Sequence, residues 1–179
     1  LGTLRRQAYV RPATRSTSVL FRGGLSGFCL RTRMTPAFKL QSPETGTKYW
    51  IYVCAPDIRR ERGPWPAVLF MDGDNQFKFA VKAYRTLRKK GRVPPLLLVG
   101  VGYGASYSGD ANKRGRDYTP THSSLEPSSG GAKSFREFLT ATLWPELQRR
   151  YPIHARQRGI AGYSLGSLLV LDALFQSQP

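Results

Sequence analysis

Arg158-Gly159-Ile160-Ala161-Gly162-Tyr163-Ser164-Leu165-Gly166, with the apolar run Leu168 to Phe175 behind it, decides how the rest of the chain is read. A short apolar strand that stops at a small, Gly-flanked Ser and passes directly into an apolar helix has the sequence form of a nucleophile elbow. A serine hydroxyl is a weak nucleophile, so chemistry needs it standing out of a sharp turn where a base can reach it. Gly162 and Gly166 supply the absent side chains that such a turn requires. The five-residue pattern also arises by chance, so the surrounding elements have to carry the argument.

Upstream, Pro66 to Met71 is a continuous apolar run of the kind buried on both faces of a parallel sheet, ending at Asp72-Gly73-Asp74. Asn75 is placed to cap a following helix, in which Phe77, Ala80, Val81, Tyr84 and Leu87 recur at helical spacing and Gly91 provides the stop. Pro95 to Val101 is a second buried strand, so strand, helix and strand alternate as in a parallel crossover. Earlier still, Lys48 to Ala55 is aromatic and β-branched and predicts another strand. Residues 102–133 form a long loop that reads as the lining of a site. A helix is predicted from Ser134, kinked by Pro145 and ended by Tyr151-Pro152, before a short strand from Arg158 to Ala161. The helix after Ser164 is apolar nearly all round, as a helix buried beneath a sheet should be.

The 179 residues suffice for one core, and the formal charge is +17. Residues 1–33 carry Arg without Lys, Asp or Glu and show no periodicity. They are read as a basic leader outside the fold: disordered, an organellar transit-like peptide, or not native, with Met34 as the preferred true start; residues 34–179 then form the domain. The remaining charge concentrates in Arg59-Arg60-Glu61-Arg62, Arg88-Lys89-Lys90-Gly91-Arg92 and Lys113-Arg114-Gly115-Arg116. Solvated loops and helix ends account for such runs, and an anionic substrate or surface is the competing reading. No nucleic-acid-binding motif and no apolar stretch long enough for a membrane span stands out, so neither a specific nucleic acid nor a membrane is expected as partner. Without a secretory signal in view, a cytoplasmic location is favoured. Cys54 reads as a buried thiol, and His, Cys and acidic residues nowhere cluster at metal-ligand spacing. No metal or cofactor is expected.

Three matches, in this order and spacing, now define a resemblance: Asp72-Gly73-Asp74, Arg116-Asp117-Tyr118-Thr119-Pro120, and the stretch from Arg158 to Gly166. From about Lys48 to Phe175 the chain resembles the α/β-hydrolase fold and, within it, the putative esterase family that includes enterochelin esterase-like enzymes, esterase D and the mycolyltransferases. The resemblance implies a mostly parallel sheet with helices on both faces. It implies Ser164 as the nucleophile of a serine esterase that cleaves a small-molecule carboxylic ester through an acyl-enzyme. It also implies an oxyanion hole made by the backbone N–H groups of Leu165 and Asp74. Asp74 as a plain helix-start residue is the competing reading. The loop from Arg116 implies contacts to an anionic or aromatic ester through Arg116 and Tyr118, with Tyr163 beside the nucleophile. A loop bonded to itself through Arg116 and Asp117 is the alternative.

The departure from the family pattern is equally specific. In this fold an Asp or Glu and then a His follow the nucleophile in the chain. After Ser164 there is no His, and the only acid is Asp172, two helical turns along. His122 lies in the long loop and His154 in the turn before the last strand. The expectation is therefore a partial α/β-hydrolase fold lacking its C-terminal strands, weakly active or inactive as it stands. About 80 to 120 further residues of the domain are expected, and the apolar surface from Leu168 to Phe175 should be left exposed. Acyl transfer on the same fold and a non-catalytic binding module are the alternatives.

Overall fold

The computed structural model describes residues 35–176, so the basic leader, Cys29 and Met34 lie outside the described residues. Five strands form one mixed sheet in the order β1-β2-β4-β3-β5. They are β1 (Phe38–Gln41), β2 (Lys48–Cys54), β3 (Trp65–Phe70), β4 (Leu97–Gly102) and β5 (Ile153–Ala161). The pairs β3/β4 and β3/β5 are parallel, as the apolar runs predict, while β1/β2 and β2/β4 are antiparallel. All six residues of β4 are buried, which is why its sequence is apolar without alternation.

Helices cover both faces. Helix α1 (Phe77–Lys89) packs Phe77 and Val81 against Tyr52 and Leu98 on one face. On the other, the main core joins Ile51, Leu69 and Val99 of the sheet to Phe135, Phe138, Leu143 and Leu147, and to Leu169 of α5 (Leu165–Gln176). Tyr49 lies at its centre, stacked on Phe138 with ring centroids 4.4 Å apart. Each such side chain contributes about 1.5–3 kcal/mol through burial.

Several local expectations are corrected. The N-cap of α1 is Gln76, without a side-chain capping bond, and Asn75 does not cap it; Asn75 Nδ2 is enclosed with no partner among the described residues. Gly91 follows the helix at φ +64°, the left-handed stop that its sequence position suggests. Pro145 does not simply kink one helix. Helix α3 (Ala132–Glu137) widens into a π-helical segment, Phe138–Leu143, and the α-ladder restarts as α4 (Trp144–Arg150) with Pro145 in its first turn, where a missing N–H costs nothing. Strand β5 is also longer than the predicted Arg158 to Ala161. Its first half bulges away from β3, and the bulge is closed by His154, whose Nδ1 accepts the N–H groups of Arg156 and Gln157 at 3.1 and 3.0 Å.

Candidate active site

The elbow is built at the carboxyl end of β5. Ser164 has φ +54°, a conformation that non-Gly residues avoid at a cost of about 1–3 kcal/mol and hold only where neighbours impose it. Gly162 is required there: a Cβ on it would lie 2.9 Å from Gly166 Cα and would collide with the Gly166 carbonyl. The turn is closed by the N–H of Gly166 donating to the carbonyl of Tyr163 at 2.9 Å and by the Ser167 hydroxyl donating to the carbonyl of Gly162 at 3.0 Å. Ser164 is exposed, and Tyr163 beside it is 66% exposed. The Leu165 N–H donates to no acceptor among the described residues.

The neighbouring wall comes from β3. Its ladder with β5 runs to the very end, where the Met71 N–H donates to the Ala161 carbonyl at 2.9 Å, so the turn from Asp72 to Asp74 stands next to the elbow. A Cβ on Gly166 would meet Met71 Cβ at 3.3 Å and Asp72 Oδ2 at 3.5 Å, which shows how closely the start of α5 approaches this turn. The Gly73 N–H donates to the Val101 carbonyl at 2.8 Å, and a Cβ on Gly73 would lie 2.9 Å from the β4 backbone. Asp74 anchors the far side: its carboxylate accepts the Tyr52 hydroxyl at 2.6 Å and the N–H groups of Tyr103 and Gly104 at 2.5 and 3.0 Å. On β4, Gly100 makes room for the Phe77 ring and Gly102 for the Asp74 carboxylate; a Cβ at either would collide. The Asp74 N–H itself, like that of Leu165, donates to no acceptor among the described residues.

Asp72 is itself left-handed, at φ +56°, and almost wholly buried. Its N–H donates to the Tyr118 hydroxyl at 3.0 Å, and its carboxylate receives Nε and Nη2 of Arg114 at 2.9 and 3.1 Å. Burial pushes the Asp72 carboxyl up from the ordinary carboxylate range, and the Arg114 guanidinium opposes that shift.

The substrate contacts implied for the 116–120 loop are not where this structure puts those side chains. Tyr118 is fully buried, and desolvation pushes its hydroxyl's pKa up. Its ring therefore packs in the core and does not stack on a ligand. Arg116 donates to Asp117 Oδ1 at 2.7 Å, to Thr47 Oγ1 at 2.8 Å and to the Thr45 carbonyl at 3.3 Å, so its guanidinium ties the loop to the start of β2. Asp117 is fully buried and also accepts the hydroxyls of Tyr49 and Tyr103 at 2.7 and 3.0 Å. The self-bonded alternative describes this loop. Sequence reasoning missed Arg114, which sits in the basic run assigned to a solvated loop. Its one signal is its position three residues ahead of Asp117, on helix α2 (Arg114–Asp117).

Neither His reaches the elbow as a built partner. His154 sits at the opposite end of β5, roughly 15–20 Å of strand away, with Nδ1 committed to the bulge. His122 is exposed in the loop beside Gly130. Asp172 forms an ion pair with Arg136 at 2.8 Å, without hydrogen-bond alignment. Cys54 is half-buried, short of the full burial its strand suggests. Among the described residues no group of His, Cys, Asp or Glu could hold a metal ion, and no helix is long and apolar enough to cross a membrane.

Residues 42–178 match the family described as Putative esterase. The chain is 30% identical over 148 residues to the ferri-bacillibactin esterase BesA of Bacillus subtilis, covering 75% of this chain and 51% of that protein. It is 32% identical over 141 residues to the siderophore triacetylfusarinine C esterase of Aspergillus fumigatus, covering 74% of this chain and 48% of that protein. Among solved structures, the BES protein from Bacillus cereus superposes with a TM-score of 0.69 at 27% identity, covering 78% of this chain and 57% of that one. The chain thus spans about half the length of the curated relatives it matches.

Proposed function

The chain belongs to the Putative esterase family, and we propose that it carries the nucleophile and oxyanion amides of a serine esterase acting on a carboxylic ester through an acyl-enzyme. The observation that supports this most is Ser164 held at φ +54° between Gly162 and Gly166, next to a Leu165 N–H that donates to no acceptor among the described residues. In the proposed reaction Ser164 Oγ attacks the ester carbonyl as its proton passes to a general base, and the carbonyl electrons move onto oxygen. The N–H groups of Leu165 and Asp74 receive that oxyanion. Amides fixed by the backbone need no reorganisation as charge develops, and one such donor is worth about 3 kcal/mol at the transition state. Collapse expels the alcohol, and water then releases the acid.

The general base and its carboxylate partner are assigned to residues outside the described segment, because neither His122 nor His154 is built into the elbow. Without such a base a serine site retains only what binding and the oxyanion hole supply. For substrate we propose a siderophore-like ester, aromatic or anionic. The relatives' printed activities support this class, as does the exposed Tyr163 ring beside the nucleophile.

Covalent labelling tests this reading. In a folded polypeptide that also carries the proposed base, an alkyl fluorophosphonate should modify Ser164, read by mass spectrometry of the intact protein and its peptides, and Ser164→Ala should abolish the adduct. Absence of the adduct there rejects the esterase reading.

A further inference from the structure

Two carboxylates bracket the amide that the serine-esterase reading assigns to the oxyanion, and they are held by different means. Asp74 is fixed by Tyr52 and by the backbone of Tyr103 and Gly104. Asp72 is fixed from across the molecule by Arg114, whose guanidinium forks onto both carboxylate oxygens and lies 4.7 Å from the Tyr107 ring centroid. Arg114 is itself prepared for this task. Its own N–H donates to Asn112 Oδ1 at 3.0 Å, its carbonyl accepts the Tyr118 N–H at 3.0 Å, and only 18% of its side chain is exposed.

The orientation of the Asp74 N–H is the orientation of the Gly73–Asp74 peptide plane. Glycine imposes no plane of its own, so the plane is set by what holds its two ends. One end is Asp74, pinned through its carboxylate. The other is Gly73, whose N–H donates to the Val101 carbonyl at 2.8 Å and which directly follows Asp72, left-handed, buried and close under the first turn of α5, which begins at Leu165. A lone carboxylate at that depth would take up a proton or rotate toward water, and Asp72 would relax from its strained conformation. Helix α2, which carries Arg114, packs against α5 as well, so the same short helix adjoins both walls of the site.

We propose that Arg114 is a positioning residue: through its fork on Asp72 it aims the Asp74 amide at the oxyanion formed on Ser164, without touching the substrate. This inference rests on the serine-esterase reading. It predicts a particular split in kinetics, because a misaimed amide weakens transition-state stabilisation and leaves ground-state binding intact.

The test measures kinact and KI for phosphonylation of Ser164 by an alkyl fluorophosphonate in the wild-type polypeptide that also carries the proposed base, and in its Arg114→Met and Arg114→Lys variants. Arg114→Met should lower kinact by about tenfold or more, with KI held within about twofold. Arg114→Lys, which restores the charge without the fork, should recover part of kinact. A kinact equal to wild type in Arg114→Met, or a loss confined to KI, overturns the positioning role. If Arg114→Met does not fold, Arg114→Lys decides alone: reduced kinact at constant KI supports the inference, and wild-type kinact rejects it. A wild-type chain that does not label at Ser164 removes the esterase reading and this inference together. A labelled wild type with an unaffected Arg114→Met removes the inference only.

Discussion

The two flanks of β3 are finished to different standards. Toward β4 and β2, the buried carboxylates of Asp72 and Asp117 have their oxygens occupied by Arg114, Arg116, Tyr49 and Tyr103, and Asp74 beside them is bound by Tyr52 and two amides. Toward β5 and α5, only Gly166 and Leu169 of the helix are buried, while Leu171, Leu174 and Phe175 are 51, 55 and 70% exposed. Leu168 is exposed too, so this helix is not the fully buried one that its all-round apolar sequence predicts, and the exposed surface expected from Leu168 to Phe175 is found. A groove of about 1020 Å³ opens along the same flank, lined in part by Trp144, Ile160, Val170 and Leu174. The contrast teaches that the wall holding the proposed oxyanion amide of Asp74 is organised by local polar bonds, whereas the helix that follows the proposed nucleophile is seated mainly by Leu169, with Leu165 and the Asp172–Arg136 ion pair beside it.

That contrast can be broken most forcefully at Asp117. Asp117→Ala removes a buried acceptor from the Arg116 guanidinium and from the Tyr49 and Tyr103 hydroxyls and should cost about 3–5 kcal/mol by chemical denaturation. A loss below about 1 kcal/mol would show that the network is dispensable. Alkaline pH sharpens the comparison at the same place. Burial raises the pKa of Tyr49, Tyr103 and Tyr118 above the ordinary value of 10.0, so the folded state keeps protons that the unfolded chain releases. Their contribution is fully present below pH 10 and is lost as pH rises beyond it. Melting temperature should fall steeply from about pH 10 upward, and Tyr103→Phe should flatten the slope; an unchanged slope counts against it. The smallest effect belongs to the other flank. Leu174→Gln and Phe175→Gln should shift stability by no more than about 0.5 kcal/mol, while reducing self-association seen by light scattering. A loss above about 1.5 kcal/mol from either would mean that these side chains are covered in solution.

Much of this was legible in the residues. The apolar runs of β3 and β4 and the glycines of the elbow carry their geometry in their own sequence, because burial on both faces and a steric demand at a turn are local facts. Other elements hid for physical reasons. β1 alternates as Phe-Lys-Leu-Gln, but a run of four residues is too short to stand out, and β5 loses its pattern where the His154 bulge turns Arg156 and Gln157 outward. The π-helical segment ahead of Pro145 has no periodicity of its own to read. Within the candidate site, the Gly-flanked turn at Ser164 is legible, but the Arg114–Asp72 pair is not. Asp72 lies 42 positions from Arg114, and only the tertiary path of the long loop brings a cation from a basic run onto a buried acid. Tyr118 misled for the same reason, since an aromatic residue beside an Arg can face a ligand or a core and the sequence is identical in both cases.

Gly100 and Gly102 leave β4 bare beneath the turn that starts α1, so the segment from Asp74 to Phe77 rests directly on strand backbone. The altitude of the proposed oxyanion amide is thus written by two methyl groups that are not there. A single alanine at Gly102 would have to raise the turn by something on the order of 1 Å, a displacement of the size that costs about a hundredfold in rate, without altering any residue that a substrate could meet.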